Sequence, residues 1–104
     1  MEGHFIFDER LKIFLPDLSE DWDDYNEETQ QQILFHWEQI RGAIPDRILE
    51  LEEIINKKQA QLSDESDFPR SCLLNSEIAE LASIINDLWI WYRANQTLST
   101  KIHH

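Results

Sequence analysis

Residues 44–62, IPDRILELEEIINKKQAQL, and residues 74–92, LNSEIAELASIINDLWIWY, decide the fold. Ile44, Ile48, Leu51, Ile55 and Leu62 keep helical spacing in the first stretch. Leu74, Leu81, Ile85, Leu88 and Tyr92 keep it in the second. With one ladder run backwards, 62 meets 74, 55 meets 81, 51 meets 85, 48 meets 88 and 44 meets 92. The two numbers of every pair total 136, so a single antiparallel register satisfies all five. The pattern predicts a long helical hairpin whose arms pack along an apolar seam, in the manner of a short coiled coil. Lys58 falls opposite Ile78 in this register, where its alkyl stem can cover the seam while the ammonium reaches water.

Upstream, Ile33, Trp37 and Ile40, with Leu34 alongside, continue the stripe, and a helix is expected from about Asn26 to Arg41. Gly42 and Pro45 then interrupt it. Pro45 has no N–H and biases Ile44 away from helical geometry, so the chain is kinked or broken there. The stripe keeps helical spacing through the proline, which favours the kink. One arm of the hairpin is therefore expected over 26–63 and the other over 73–97, joined by the loop DESDFPRS at 64–71. Ser76 or Asn75 is an alternative cap for the last helix, with Glu77 close behind. Residues 98–104 are expected to form a disordered tail.

The N-terminal stretch HFIFDERLKIFL, residues 4–15, reads as a packing arm. Asp8 is placed to cap a short helix with apolar positions Leu11, Phe14 and Leu15, stopped by Pro16. A strand through His4–Phe7 finds no good partner later in the chain. A helical turn is expected at 19–25, with Trp22 and Tyr25 inward. The expectation is an all-α single domain over 1–104, with residues 5–25 packed as a helical arm on the open end of the hairpin. Its core is Ile33, Trp37, Ile40, Ile44, Ile48, Leu51, Ile55, Leu62, Leu74, Ile78, Leu81, Ile85, Leu88 and Tyr92. Ile84 through Tyr92 are too apolar all round for one partner helix to cover. The arm or a second copy of the chain, as a homodimer, is expected to cover the remainder.

Few turn formers fit long helices: among 104 residues only 2 are Gly and 3 are Pro. A formal net charge of −12 disfavours direct binding to nucleic acid or to an anionic membrane surface. The acidity is concentrated in the first thirty residues, where ten carboxylates face only Arg10 and Lys12. Cys72, the single cysteine, forms no disulfide within the chain and builds no cysteine zinc site, so a reducing cytoplasm is expected. No basic patch followed by an apolar run marks a signal peptide, and no apolar run approaches the ~20 residues of a membrane span. His103 and His104 read equally as native residues or as a tag remnant.

The stretch DLSEDWDDYNEE, residues 17–28, is the leading functional candidate. Asp17, Glu20, Asp21, Asp23 and Asp24 surround Trp22 and Tyr25. Carboxylates around aromatic anchors suit a basic groove on a protein partner. Trp89 and Trp91 are expected to add apolar contact. The function expected from this pattern is a small cytoplasmic interaction or regulatory module, non-catalytic and without a cofactor. A row of carboxylates also imitates DNA phosphates, so a charge-mimic inhibitor of a nucleic-acid-binding protein is an alternative.

Glu50-x-x-Glu53 and Glu77-x-x-Glu80 offer a second alternative. Two acidic pairs on facing helices can hold Mg²⁺ against a nucleotide's phosphates. The pattern resembles that of all-α nucleotide pyrophosphohydrolases, which implies a Mg²⁺-dependent hydrolase, although Glu80 stands where that family has Asp. With Leu51 and Ile55 on the seam, Glu53 points nearly opposite it, and no cluster of Lys or Arg is present to grip phosphates; a solvated helix face accounts for these residues more simply. Ser83-x-x-x-Asp87 is similar to the Ser–Asp spacing of bacterial helical-hairpin phosphatases that act on aspartyl-phosphate, but the residues around it depart from that pattern. His36 has no second His or Cys at helical spacing to make a metal site.

Overall fold

The computed structural model describes residues 3–102, with side chains up to Ala94. The chain is mostly helical. Two short strands, β1 (Phe5–Asp8) and β2 (Ile13–Pro16), precede a 3₁₀ turn at Trp22–Asp24 and three helices: α1 (Glu27–Gly42), α2 (Ile44–Asp64) and α3 (Phe68–Ile102). The molecule is a rod of 60 × 20 × 20 Å. At 1.5 Å per residue the 35 residues of α3 supply about 52 Å of that length.

Asn26 starts α1 as expected, its side-chain oxygen accepting from the Thr29 N–H at 2.7 Å. α1 and α2 form one long bent helix with Ala43 at the joint. Pro45 lies in the first turn of α2, where a missing N–H costs least. Ala43 donates to the Ile40 carbonyl at 3.1 Å and accepts from the Arg47 N–H at 3.3 Å, so the chain bends without separating.

Only Glu65–Asp67 joins α2 to α3, and so short a connection turns the chain back along itself. Lys58 of α2 is half-buried and meets Glu77 of α3. The expected loop at 64–71 is shorter than its composition implies. Pro69 is the second residue of α3, and Asp67 accepts from the Arg70 N–H at 3.3 Å through its side chain and from the Ser71 N–H at 3.0 Å through its carbonyl. A proline that reads as a loop breaker thus lies inside a helix start. The tail expected at 98–104 falls on residues whose side chains are not described, and His103 and His104 lie outside the described residues.

The helical arm expected before Pro16 is instead a β-hairpin. Phe5, Ile6 and Phe7 face Pro16, Leu15 and Phe14 in antiparallel register. β-Branched and aromatic residues on both strands suit that pairing. The Asp8 carboxylate accepts from the Leu11 N–H at 2.8 Å, a cap-like bond that here closes the Glu9–Lys12 loop. Lys12 sits in the left-handed region at φ 63°, which turns the chain into β2.

The β-hairpin supplies part of the core. Leu11 and Ile13 are buried with Ile44, Ile48 and Leu51 of α2 and with Ile84 and Leu88 of α3. Ile84 is absent from the expected seam core but belongs to the apolar end for which the arm or a second copy is expected as cover; Leu11 and Ile13 of the β-hairpin are buried with it. Trp37 and Ile33 of α1 are fully buried, as is Leu74 near the other end of α3. Ile40, Ile55, Leu62, Ile78, Leu81, Ile85 and Tyr92 are half-buried rather than enclosed. In a rod this narrow half of the paired seam residues stay within reach of water.

Candidate functional site

The acidic stretch begins at the base of the β-hairpin, where the Asp17 N–H donates to the His4 carbonyl at 2.9 Å. Trp22 and Tyr25 are half-buried, and local bonds hold them. The Tyr25 hydroxyl accepts from the Glu20 N–H at 3.2 Å, and the Gln30 side-chain amide of α1 donates to the Trp22 carbonyl at 2.8 Å. The His4 ring meets Tyr25 edge-on at 5.4 Å. The indole N–H of Trp22 is buried and has no acceptor among the described residues. The aromatics therefore anchor the stretch while neither residue is fully buried.

Asp17, Glu20, Asp21, Asp23 and Asp24 are all exposed, and no ion pair among the described residues involves them. Several cations are engaged elsewhere. Arg47 pairs with Glu50 at 3.2 Å, Arg41 with Glu38 at 3.4 Å and Arg70 with Glu65 at 3.3 Å. Five unpaired carboxylates thus lie within residues 17–24, on the surface that follows the β-hairpin.

Trp89 and Trp91 separate. Trp91 is half-buried with its ring edge-to-face against Trp37 at 5.8 Å. Trp89 keeps 39% exposure and packs edge-on against Tyr92 at 5.5 Å. Tyr92 in turn lies under the Arg41 guanidinium at 4.9 Å. No described contact joins Trp89 to the acidic stretch.

The four glutamates of the metal alternative are differently employed. Glu50 pairs with Arg47, Glu77 with Lys58, and Glu80 with Arg10 at 3.0 Å, while Glu53 is exposed. Among the described residues no group of three potential ligands converges on a metal position. His36 packs edge-on against Phe5 at 4.7 Å. Cys72 is an exposed free thiol.

One polar constellation escaped the sequence reading. Arg10, in the β-hairpin loop, donates to Glu80 at 3.0 Å, to Ser83 at 2.8 Å and to Asp87 at 2.6 Å along one face of α3. Asp87 first, and Glu80 after it, hold the guanidinium even more firmly protonated than an ordinary arginine. The Ser83–Asp87 pair is therefore a receptor for the arm. Its helical spacing with Glu80 is the sequence signal, and only the position of Arg10 in a loop over α3 reveals its use.

In comparison with known proteins, no family model, no curated protein and no solved structure matches this chain. Among the described residues, no helix is long and apolar enough to cross a membrane.

Proposed function

We propose that this chain is a small acidic interaction module, non-catalytic, that docks on a basic protein partner in the cytoplasm. Asp17, Glu20, Asp21, Asp23 and Asp24 supply the docking charge, with Trp22 and Tyr25 as anchors. The observation that carries the proposal is the clustering of charge: these five carboxylates fall within residues 17–24 and are all exposed without ion pairs among the described residues, whereas Glu38, Glu50, Glu65, Glu77, Glu80 and Asp87 of the rod are paired. Unpaired surface charge of one sign steers an oppositely charged partner and discriminates against acidic ones. Trp89 keeps the exposure that a further apolar contact needs; most of Trp91 is given over to Trp37. The helical seam in the 136 register is proposed as the stiff support for this surface.

Capture of partners by the full chain, washed at low and at high salt, tests the reading. A partner held at low salt and released at high salt is expected, because exposed charge pairs are screened. A partner held equally at both contradicts the acidic docking surface. Adding DNA to the captured complex separates the charge-mimic alternative, in which DNA displaces this chain from its target.

A further inference from the structure

β2 lies against α1 and sends Ile13 and Leu15 toward the core, whereas none of the four residues of β1 is buried. The ladder fixes which backbone groups of β1 are free. Asp17 bonds to His4, and Phe5 stands opposite Pro16. In antiparallel pairing, bonded and non-bonded pairs alternate. Ile6 and Asp8 therefore bond across to Leu15 and Ile13, while the N–H and C=O groups of Phe5 and Phe7 point out of the hairpin. No hydrogen bond among the described residues takes them up.

This edge is apolar, with Phe5 half-buried against His36 and the next two residues exposed. Ile6 is 57% and Phe7 40% exposed, and the Phe7 ring meets that of Phe14 edge-on at 5.1 Å on one face of the sheet. Exposed edges usually carry lysine, proline or a bulge that discourages pairing. Phe5, Ile6 and Phe7 include none of these. The base of the edge is acidic, because Asp17, Glu20 and Asp21 follow from it; at the loop end the charges balance, with Glu9 paired to Lys12 at 3.5 Å.

We propose that the free edge of β1 accepts an extended segment of a partner protein, added as a third strand, with apolar residues in its middle and a cation at the end that meets the acidic base. The inference rests on the acidic-docking reading and names the form the partner takes there. Backbone bonds to Phe5 and Phe7 supply the pairing, and the carboxylates at the base select the basic end. A second copy of this chain suits the edge poorly, because each copy carries −12 and brings its own acidic base.

The test uses the full chain and a capped peptide, Lys-Thr-Val-Phe-Val-Thr-Lys, with two controls. One control carries Glu in place of both Lys; the other is N-methylated at the amides that would face β1. Binding of the Lys peptide is expected to slow hydrogen exchange at the Phe5 and Phe7 amides by about tenfold or more. The N-methylated peptide should fail to bind, and the Glu peptide should bind at least about tenfold more weakly. Phe7→Pro removes an outward N–H that the hairpin does not use, so it should abolish binding, while Phe7→Thr should retain it. If Phe7→Pro disturbs the hairpin, the N-methylated peptide still decides. Equal binding of the methylated peptide overturns the added strand yet leaves acidic docking standing. Equal binding of the Glu peptide overturns the charge selection and weakens both readings. Absence of peptide binding overturns the inference. So does protection of Phe5 and Phe7 that rises with protein concentration alone, which would make a second copy the occupant.

Discussion

Arg10 fixes where the β-hairpin loop lies on α3. Its guanidinium meets three acceptors, and a planar fork can do this where a lysine ammonium cannot. Arg10→Ala is expected to lower the melting temperature, and Arg10→Lys to recover only part of the loss. A double-mutant cycle with Asp87→Ala should show coupling; strictly additive losses would mean that the contact does not hold the arm. The pKa of Arg10 is raised in the folded chain, so its contribution is complete below the ordinary arginine value and is lost as pH rises through the raised one. Titration of this guanidinium should therefore leave stability unchanged near neutrality.

Lys12 illustrates what a residue-level reading overlooks. A chain reversal is normally announced by Gly, Asn or Pro, but the Glu9–Lys12 loop contains none and places a lysine at φ 63°. With no turn signal, Phe5–Asp8 found no partner in the sequence, although that partner begins only five residues later. A side chain in the left-handed region costs about 1–2 kcal/mol. Lys12→Gly removes that strain but gives the unfolded chain more freedom. A net gain of up to about 1 kcal/mol is expected in urea unfolding. Its Glu9 ion pair, largely exposed at 3.5 Å, offsets little of the gain. A loss of stability would show that Lys12 is needed for more than the turn.

At the scale of elements, the helical regions were legible because apolar spacing repeats over many turns, whereas four-residue strands carry too few positions for a period to emerge. Ile84 looked superfluous to a two-helix seam and became core once Leu11 and Ile13 lay against it. Pro69 looked like a loop because composition cannot distinguish a first helical turn from a break. Of the candidate site, the exposed acidic stretch was legible from charge alone. The separation of Trp89 from Trp91 was not, because it depends on Trp37 of another helix. The distinction between faces has a measurable consequence. Leu88, fully buried, should cost about 2–5 kcal/mol when replaced by Ala. Leu49, on the exposed side of α2, should change stability by no more than about 0.5 kcal/mol. Similar losses at both positions would contradict the packing.

At the scale of the whole molecule, a narrow rod carries a cluster of unpaired carboxylates at residues 17–24. The bent α1–α2 helix and α3 supply stiffness, and the β-hairpin bridges α1 and the α2–α3 pair. From its base the acidic stretch emerges, held by Trp22 and Tyr25 rather than by ion pairs. Docking through this surface should depend on where charge lies, not only on how much the chain carries. The most direct measurement compares two variants of equal net charge for retention of the captured partner. Asp21, Asp23 and Asp24 become Asn in the first; Glu52, Glu53 and Asp64 become Gln, Gln and Asn in the second. Loss of the partner from the first variant, with retention by the second and native circular dichroism in both, is the predicted result. Equal retention by the two variants would contradict the acidic docking surface.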